Sequence, residues 1–370
     1  MPESPNGSSP PEPVDWGLAE RLARRVAGRD PLESSYLAAS LQADFDEVTS
    51  RAEHLVGEFT GLLPPDDPAR ALVLDRQRWV EVNVASFRHT LEPFTRRVGE
   101  RMAQSSIAPV GRRVAGAEMG VLMGFLAQRV LGQYDLLVPE EPGGSGGVPQ
   151  KAGFEDAVYY VGPNVLALEK RFGFRPYDFR LWIALHEVTH RAQFRAVPWM
   201  KGYFLSLVER SLGMIEPDPK RLVRALERAA ESARRGRNPL DDNGIVGLFA
   251  TDEQRVVIDQ VQALMSLLEG HGNHVMDSLG TMHVTGQERM SAALRARRES
   301  GGMARQLRKL MGIEMKMRQY EVGQRFIVAV EERGGERALD AAWQGPEYLP
   351  TLPELEEPDR WLDRVGVRTG

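Results

Sequence analysis

The chain has 370 residues, of which 42% are hydrophobic and 27% are charged, and these proportions are ordinary for a globular protein. Its formal net charge is -5, so no overall positive field favours nucleic acid or an acidic membrane as a partner. The absence of cysteine excludes disulfides, thiolate metal sites and cysteine nucleophiles, and it agrees with the cytoplasmic location that we expect.

The two ends of the chain differ in composition from the middle. Residues 1–14 are rich in proline, serine and glycine and lack the features of a signal peptide, so we predict a disordered tail there. We expect a single domain over 15–345 and an irregular, proline-rich segment over 346–370. Three aromatic residues could anchor that segment: Trp343, Tyr348 and Trp361. The apolar runs are too short for a membrane span, so no membrane partner is expected.

Helical patterns predominate from residue 16 to about residue 133. A proline-rich turn at 64–68 interrupts them, and we expect a helix to resume at Ala69. On the next predicted helix, 114–133, three glycines recur every four residues and so lie on one ridge: Gly116, Gly120 and Gly124. Because each glycine costs a helix about 1 kcal/mol relative to alanine, this ridge indicates that another backbone crosses very close.

The middle of the chain holds a segment with strand character. A flexible loop is predicted over 139–153, and the β-branched and aromatic residues that follow it predict a short strand at 157–161. A helix at 164–172 comes next. Asp178 is the expected N-cap of the helix after that one, which Pro198 should end.

The second half of the chain is predicted to be largely helical. The helical pattern continues over 200–237, where the many charged residues are most simply a solvated face. Thr251 and Gln254 have the spacing of a capping box and predict the start of an apolar helix, and a last helical region covers about 287–332. The predicted fold class is therefore mainly α, with a small β element beside the helix that begins near Asp178.

One predicted helix carries the run His186-Glu187-Val188-Thr189-His190 in apolar surroundings. Residues four apart lie one above the other on a helix, so the two histidines can present their nitrogens to one metal ion. Glu187 lies about 100° round the helix, out of direct ligation but within reach of a water molecule on the metal. Histidine and glutamate are costly to bury unless paired or metal-bound, which favours a zinc site over a chance occurrence.

A hydrolytic zinc site usually has three protein ligands, so this run needs a partner from elsewhere. Gln193 and Ala196 stand where the metzincin pattern requires glycine and histidine, which excludes that class. The other stretch rich in possible ligands is 267–277, with the sequence LLEGHGNHVMD.

Glu269 and His271 compete for the position of third ligand. On a helix they lie roughly 160° apart, so both could bind one ion only if the helix broke at Gly270 or Gly272. Glu269 is our first choice, because a carboxylate lowers the charge of a site in apolar surroundings, and His271 is the second. Two further residues are candidates for orienting the ligands: His274 and Asp277.

Four segments together resemble a family of zincin-like metallopeptidases of unknown substrate, found mainly in actinobacteria and their relatives and associated in some genomes with biosynthesis of the deazaflavin coenzyme. They are VLGQYD (130–135), YYVGPNV (159–165), LHEVTHRAQF (185–194) and LLEGHGNHVMD (267–277). The resemblance implies a mainly helical, zincin-like fold over the predicted domain and a zinc site around the His-Glu-Val-Thr-His run. It implies no particular substrate.

We therefore expect a zinc-dependent hydrolase, namely a metallopeptidase acting on a peptide or a small amide, with Glu187 as the general base. Three residues are nominated as donors to the oxyanion: Tyr159, Tyr160 and His283. No special role is expected for His54 or His89. The alternative is a non-catalytic protein that keeps a structural metal site or a binding pocket, and a closed site with four protein ligands would favour it.

Overall fold

The computed structural model describes residues 12–64, 68–102, 108–134, 156–213, 251–299, 313–335 and 337–367. Close contacts between Cα atoms divide the chain into two compact units. The first unit comprises residues 1–48 and 69–173, and the second comprises 49–68 and 174–370. The prediction of a single domain over 15–345 is not tested by this division and stays a prediction.

The fold is mainly α, as the sequence predicts. Its helices are α1 (Trp16–Ala27), α2 (Leu41–Thr60), α3 (Arg76–Met102), α4 (Ala108–Ala127), α5 (Gly162–Phe172), α6 (Pro176–Arg195), α7 (Met200–Gly213), α8 (Asp252–His283), α9 (Gln287–Glu299), α10 (Ile313–Gly334), α11 (Leu352–Glu356) and α12 (Pro358–Val365). Short 3₁₀ turns lie at Pro31–Ser34, Tyr36–Ala38, Ala338–Trp343 and Pro346–Tyr348. Within the described residues, no helix is both long and apolar enough to cross a bilayer.

The first unit contains a small sheet of three strands, β1 (Arg70–Leu74), β2 (Gly132–Tyr134) and β3 (Ala157–Val161), in the order β1-β3-β2. The central strand, β3, pairs parallel with β1 and antiparallel with β2. All five of its residues are buried, so the strand predicted at 157–161 is confirmed as a core element. Its apolar, β-branched and aromatic side chains suit a strand that is covered on both faces.

The expectation of a helix from Ala69 is wrong for the first residues of that stretch. The segment RALVL forms β1, and helix α3 begins only at Arg76. Ala71 and Leu74 are buried, and the strand aligns Arg70 with Ala157 across the parallel pair. Four apolar residues in a row fit a strand as well as a helical turn, and pairing with a distant strand decides between the two.

The glycine ridge on α4 crosses α1 closely, as predicted. A Cβ atom on Gly116 would lie 2.5 Å from the Asp15 carbonyl oxygen, and one on Gly120 would lie 2.6 Å from the Ala19 carbonyl oxygen. A Cβ atom on Gly124 would meet α1 equally closely. Since no side chain fits at these distances, glycine is the residue that allows the two backbones to approach.

In the second unit, α8 packs against both α6 and α10. Its N-terminus has the predicted capping box between Thr251 and Gln254. The helix then continues without a break through Gly270 and Gly272 to His283. At Gly270 an added Cβ atom would lie 2.3 Å from the carbonyl carbon of Gly323 on α10, so this glycine provides the close crossing of α8 and α10.

Two further expectations differ from the structure. Helix α6 begins at Pro176 with Arg175 in the N-cap position, so Asp178 lies in the first helical turn and does not cap the helix. The C-terminal segment, expected to be irregular, contains the short helices α11 and α12. Proline can begin a helix at its first turn, and the structure uses it so at Pro176 and Pro358.

The C-terminal segment is held by Trp361, one of the three aromatic anchors suggested from the sequence, and by an ion pair. Trp361 is fully buried and donates from Nε1 to the carbonyl oxygen of Tyr348 at 2.7 Å. Arg364 binds both carboxylate oxygens of Glu354, at 2.6 and 3.0 Å. Burial alone raises the pKa of Glu354, but hydrogen bonds from Arg364 and Thr351 outweigh it and hold the pKa below its usual value.

Several predictions fall wholly or partly outside the described residues. These are most of the tail at 1–14, the loop at 139–153, the part of the 200–237 helix beyond α7, and the connection between α9 and α10.

Candidate metal centre

Helix α6 presents His186 and His190 on one face because they are separated by about one helical turn. The helix is buried along most of its length, from Asp178 to Phe194, and both histidines are partly buried. Their Nε2 atoms lie 3.1 Å apart, and their rings are nearly perpendicular, at 82°. The two nitrogens therefore converge on one point beside the helix.

The third donor atom comes from Glu269 on α8. Its Oε2 atom lies 3.7 Å from His186 Nε2 and 3.6 Å from His190 Nε2. A point equidistant from the three donor atoms is about 2.0 Å from each, which is the length of a zinc–nitrogen or zinc–oxygen bond. Two imidazole nitrogens and a carboxylate oxygen are also typical zinc ligands, so the residues present fit the metal in size and in chemistry.

These three residues form the only group of at least three histidine, cysteine or acidic side chains, among those the structure describes, that is compact enough to hold a metal ion. The sequence named all three, and the structure brings them together across two helices that pack side by side. Their role as metal ligands stays a prediction.

Gly272 gives the two imidazole rings their space. It lies one turn beyond Glu269 on α8, and a Cβ atom added to it would lie 3.2 Å from His186 Cε1 and Nδ1 and from His190 Cε1. That separation is shorter than an ordinary contact between carbon atoms, which is about 3.5–4.0 Å. The backbone of α8 therefore packs directly on both rings, where any larger residue would push against them.

The electrostatics of the three residues are tightly linked. Burial alone lowers the pKa of His190, but the hydrogen bond and negative charge of Glu269, with smaller contributions from Glu187 and Gln193, raise it to about 9. When no metal is bound, the imidazole of His190 is therefore protonated on both nitrogens and positively charged at neutral pH. A metal ion that binds its Nε2 atom competes with that proton.

Glu187 follows His186 on α6 and is buried, with 8% of its surface exposed. Its negative charge contributes to the raised pKa of His190, so it acts on the histidine pair from nearby. A buried carboxylate in this position can accept a proton from a water molecule at the metal, which is the role the sequence predicts.

His271, the second choice for the third ligand, has a different environment. Its side chain is buried, its ring lies 5.2 Å from that of Trp343, and its Nδ1 atom lies 2.9 Å from Gln193 Nε2. Burial lowers the pKa of His271 to about 3, assisted by the charges of His274 and His190, so the ring is neutral. Because α8 does not break, Glu269 and His271 remain on different sides of the helix, as the 3.6-residue period predicts.

Gln193 is a residue of this site whose role the sequence reasoning missed. It is fully buried on α6 and contacts both His190 and His271. In the sequence it served only to exclude the metzincin pattern. Its position three residues after His190, on the same helical face, is the signal that could have identified it.

The residues suggested as orienting groups have other partners. His274 Nε2 lies 3.0 Å from a carboxylate oxygen of Glu331. Asp277 accepts hydrogen bonds from Gln287 at 2.7 Å and from Gln324 at 3.0 Å. It lies about 12 Å further along the axis of α8 than Glu269 does.

The three nominated oxyanion donors lie on two elements, and their role stays a prediction. Tyr159 and Tyr160 are fully buried in β3 of the first unit, where Tyr160 stacks on Phe45. His283 is the last residue of α8, about 21 Å along the helix axis from Glu269.

The remaining two histidines lie on long helices and are not part of the group formed by His186, His190 and Glu269. His54 on α2 is exposed and lies 3.4 Å from Glu58 on the same helix, and His89 lies on α3.

A helix with two histidines four residues apart and a glutamate next to the first, completed by a carboxylate from a second helix, defines a metal centre of the zincin class. The comparison with known families agrees with this class. The model of the zincin-like metallopeptidase family matches residues 14–362, nearly the whole chain. The chain belongs to this family, and the resemblance inferred from its sequence segments is confirmed.

One solved structure is similar over most of the chain. It is described as a "putative hydrolase with a novel fold" from Chloroflexus aurantiacus, and it is 29% identical in sequence, with a TM-score of 0.68. The match covers 96% of this chain and all of that one. No curated protein matches significantly. At the level of the family, the chain is a metal-dependent hydrolase.

Proposed function

We propose that the protein is a zinc-dependent metallopeptidase that hydrolyses an amide bond in a peptide or a small amide. The observation that supports this most directly is the size of the donor triangle formed by His186, His190 and Glu269, which matches the bond lengths of zinc. Three protein ligands leave a fourth position for water or substrate, and this arrangement is typical of catalytic zinc.

A zinc ion bound here would polarise a substrate carbonyl and make a water molecule more acidic. Glu187 would accept the proton of that water and deliver it to the departing amine nitrogen, serving first as general base and then as general acid. Glu269 would balance part of the charge of the ion, which matters because the site lies between buried helices. Glu187 is buried next to His186 on α6, and its negative charge helps to raise the pKa of His190.

The alternative, a structural metal site, would be favoured by four protein ligands. His271 was the candidate for such a fourth ligand, but it lies on another side of the unbroken α8 and contacts Gln193 through Nδ1. The position of His271 therefore does not favour the structural alternative.

The first test concerns the metal. We expect purified protein to contain about one zinc ion per chain, measured by elemental analysis. Glu269→Ala should lower zinc occupancy strongly, because it removes a ligand, whereas His271→Ala should lower it less. Equal loss in both variants, or a larger loss in His271→Ala, would contradict the ligand assignment.

The second test concerns the reaction. Glu187→Gln retains both histidines and the side-chain volume but cannot accept the proton, so it should bind zinc normally and lose at least about 10²-fold in activity. Activity is measured on a mixture of peptides, with products identified by mass spectrometry. His54→Gln, an exposed site on α2, is the matched control and should remain fully active. A zinc-loaded wild-type protein that cleaves no amide substrate, or a Glu187→Gln variant as active as wild type, would refute the peptidase mechanism.

A further inference from the structure

We infer that Gln193 is a positioning residue that fixes which nitrogen of His190 faces the metal, through an amide bridge to His271. This inference rests on the proposed metal site. It starts from three contacts of one fully buried side chain: Oε1 to His190 Nδ1 at 2.9 Å, Nε2 to the Leu268 carbonyl oxygen at 3.0 Å, and Nε2 to His271 Nδ1 at 2.9 Å.

The Leu268 carbonyl fixes the orientation of the amide. A carbonyl oxygen can only accept hydrogen bonds, so the side-chain atom of Gln193 that faces it must be the NH₂ group. Reversing the amide would place two oxygen atoms 3.0 Å apart in a buried position, which is strongly unfavourable. The orientation of Gln193 thus follows from a backbone atom of α8 and does not depend on the protonation of either histidine.

The oriented amide then assigns the ring nitrogens. Because Gln193 Oε1 can only accept, His190 must carry a hydrogen on Nδ1 and donate it. The Nε2 atom of His190 is left to face His186 and Glu269, where a metal-binding nitrogen is needed. The second hydrogen of the Gln193 NH₂ group points to His271 Nδ1, which must accept it.

Gln193 therefore uses its acceptor oxygen and both of its donor hydrogens with partners on two helices. Its acceptor is used by His190 on α6, and its donors are used by Leu268 and His271 on α8. A histidine that binds zinc usually donates its other N–H to a carboxylate, a backbone carbonyl or water, and this contact orients the ring. Here a neutral amide has that position, which orients His190 without adding a negative charge beside the ligand.

The test compares Gln193→Leu with Gln193→Glu and with a matched control. Leucine removes the acceptor for His190 and both donors, whereas glutamate keeps the acceptor at the same chain length and loses only the donors to Leu268 and His271, which should lower the stability of the metal-free protein. The control is Gln287→Leu, which also removes a buried amide hydrogen bond but lies at the start of α9, where Gln287 donates to Asp277 of α8. Zinc affinity is measured by competition with a chromophoric chelator, and the free energy of unfolding of each metal-free variant is measured in urea.

We expect zinc affinity to fall by about 10- to 100-fold in Gln193→Leu, to fall by a smaller factor in Gln193→Glu, which keeps the acceptor for His190, and to be unchanged in Gln287→Leu. Zinc binding in Gln193→Leu that equals wild type would overturn the inference. So would an equal loss in Gln193→Leu and Gln193→Glu, or the same loss in Gln287→Leu, because packing alone would then explain the effect.

A spectroscopic readout separates this inference from the proposed function. In protein with ¹⁵N-labelled histidine, the Nδ1–H of His190 should exchange slowly with solvent, with and without zinc, and this protected signal should be lost in Gln193→Leu. Absence of a protected Nδ1–H in wild-type protein would refute the role of Gln193, whether or not zinc binds. Failure of the wild-type protein to bind zinc, with the protected signal present, would refute the proposed function alone.

Discussion

Substituting Gly272 by alanine should separate metal binding from folding. The added methyl group would lie 3.2 Å from atoms of both His186 and His190, and ordinary contacts begin at about 3.5 Å. The rings must therefore move by roughly 0.3 Å or more. Metal sites tolerate changes in ligand distance of only about 0.2 Å, so the displaced rings should bind zinc about 10- to 100-fold more weakly.

The same substitution should have little effect on the stability of the metal-free protein. Alanine is favoured over glycine in a helix by about 1 kcal/mol, and this gain opposes the cost of crowding the two rings. We therefore expect the free energy of unfolding in urea to stay within about 1 kcal/mol of the wild-type value. Zinc affinity is measured separately, by competition with a chromophoric chelator.

Two other glycines on helices of the same unit provide controls. Gly202 on α7 has open space where its Cβ atom would lie, so Gly202→Ala should leave zinc affinity unchanged. Gly270→Ala would place a Cβ atom 2.3 Å from the backbone of Gly323 and should destabilise the fold itself. If Gly272→Ala bound zinc within a factor of two of wild type, the argument that α8 packs directly on the imidazole pair would be refuted.

Two predictions concern ion pairs that do not include a proposed metal ligand. Arg191 is fully buried, and its Nη1 atom lies 2.6 Å from Oε1 of the partly exposed Glu53. Because Glu53→Gln removes this ion pair from the buried charge of Arg191, it should lower the free energy of unfolding in urea by roughly 2 kcal/mol. The control His54→Gln should leave that free energy unchanged. An unchanged urea midpoint in Glu53→Gln would contradict this. The pKa of Glu354 is lower in the folded protein than its unfolded value of about 4.3. The ion pair of Glu354 with Arg364 should therefore stabilise the fold fully above about pH 4.3, and this stabilisation should be lost as the pH falls through the folded pKa. Hydrogen exchange in α11 and α12 should rise over that interval in the wild type, and an equal rise in Arg364→Gln would show that the pair is not the cause.

The features that depend on one helix were predicted well from the sequence. Spacing alone places His186 and His190 on one face, with Glu187 beside them, because an α-helix turns once every 3.6 residues. The same period separated Glu269 from His271, and the structure keeps that separation because α8 continues through both glycines. The ridge of glycines on α4 is another pattern of this kind, since it requires a close neighbour whatever that neighbour is.

Two features at the start of an element were predicted wrongly. The stretch after Ala69 has a pattern that suits a helix or a strand, and its pairing with β3, which aligns Arg70 with Ala157, makes it a strand. Asp178 has the side chain of an N-cap, but the helix begins earlier, at Pro176. The first outcome depends on a strand that is distant in the sequence, whereas the second follows from the preference of proline for the first turn of a helix.

The sequence by itself determined the ligand types, their spacing on each helix and the mainly helical class, since these follow from side-chain chemistry and helical periodicity. Only the tertiary structure decided that α8 lies against α6 at the register that brings Glu269 within 4 Å of both histidines. The same register places Gly272 on the two rings and the Leu268 carbonyl on Gln193. Side-chain packing between two helices sets their register, and no period within either helix encodes it.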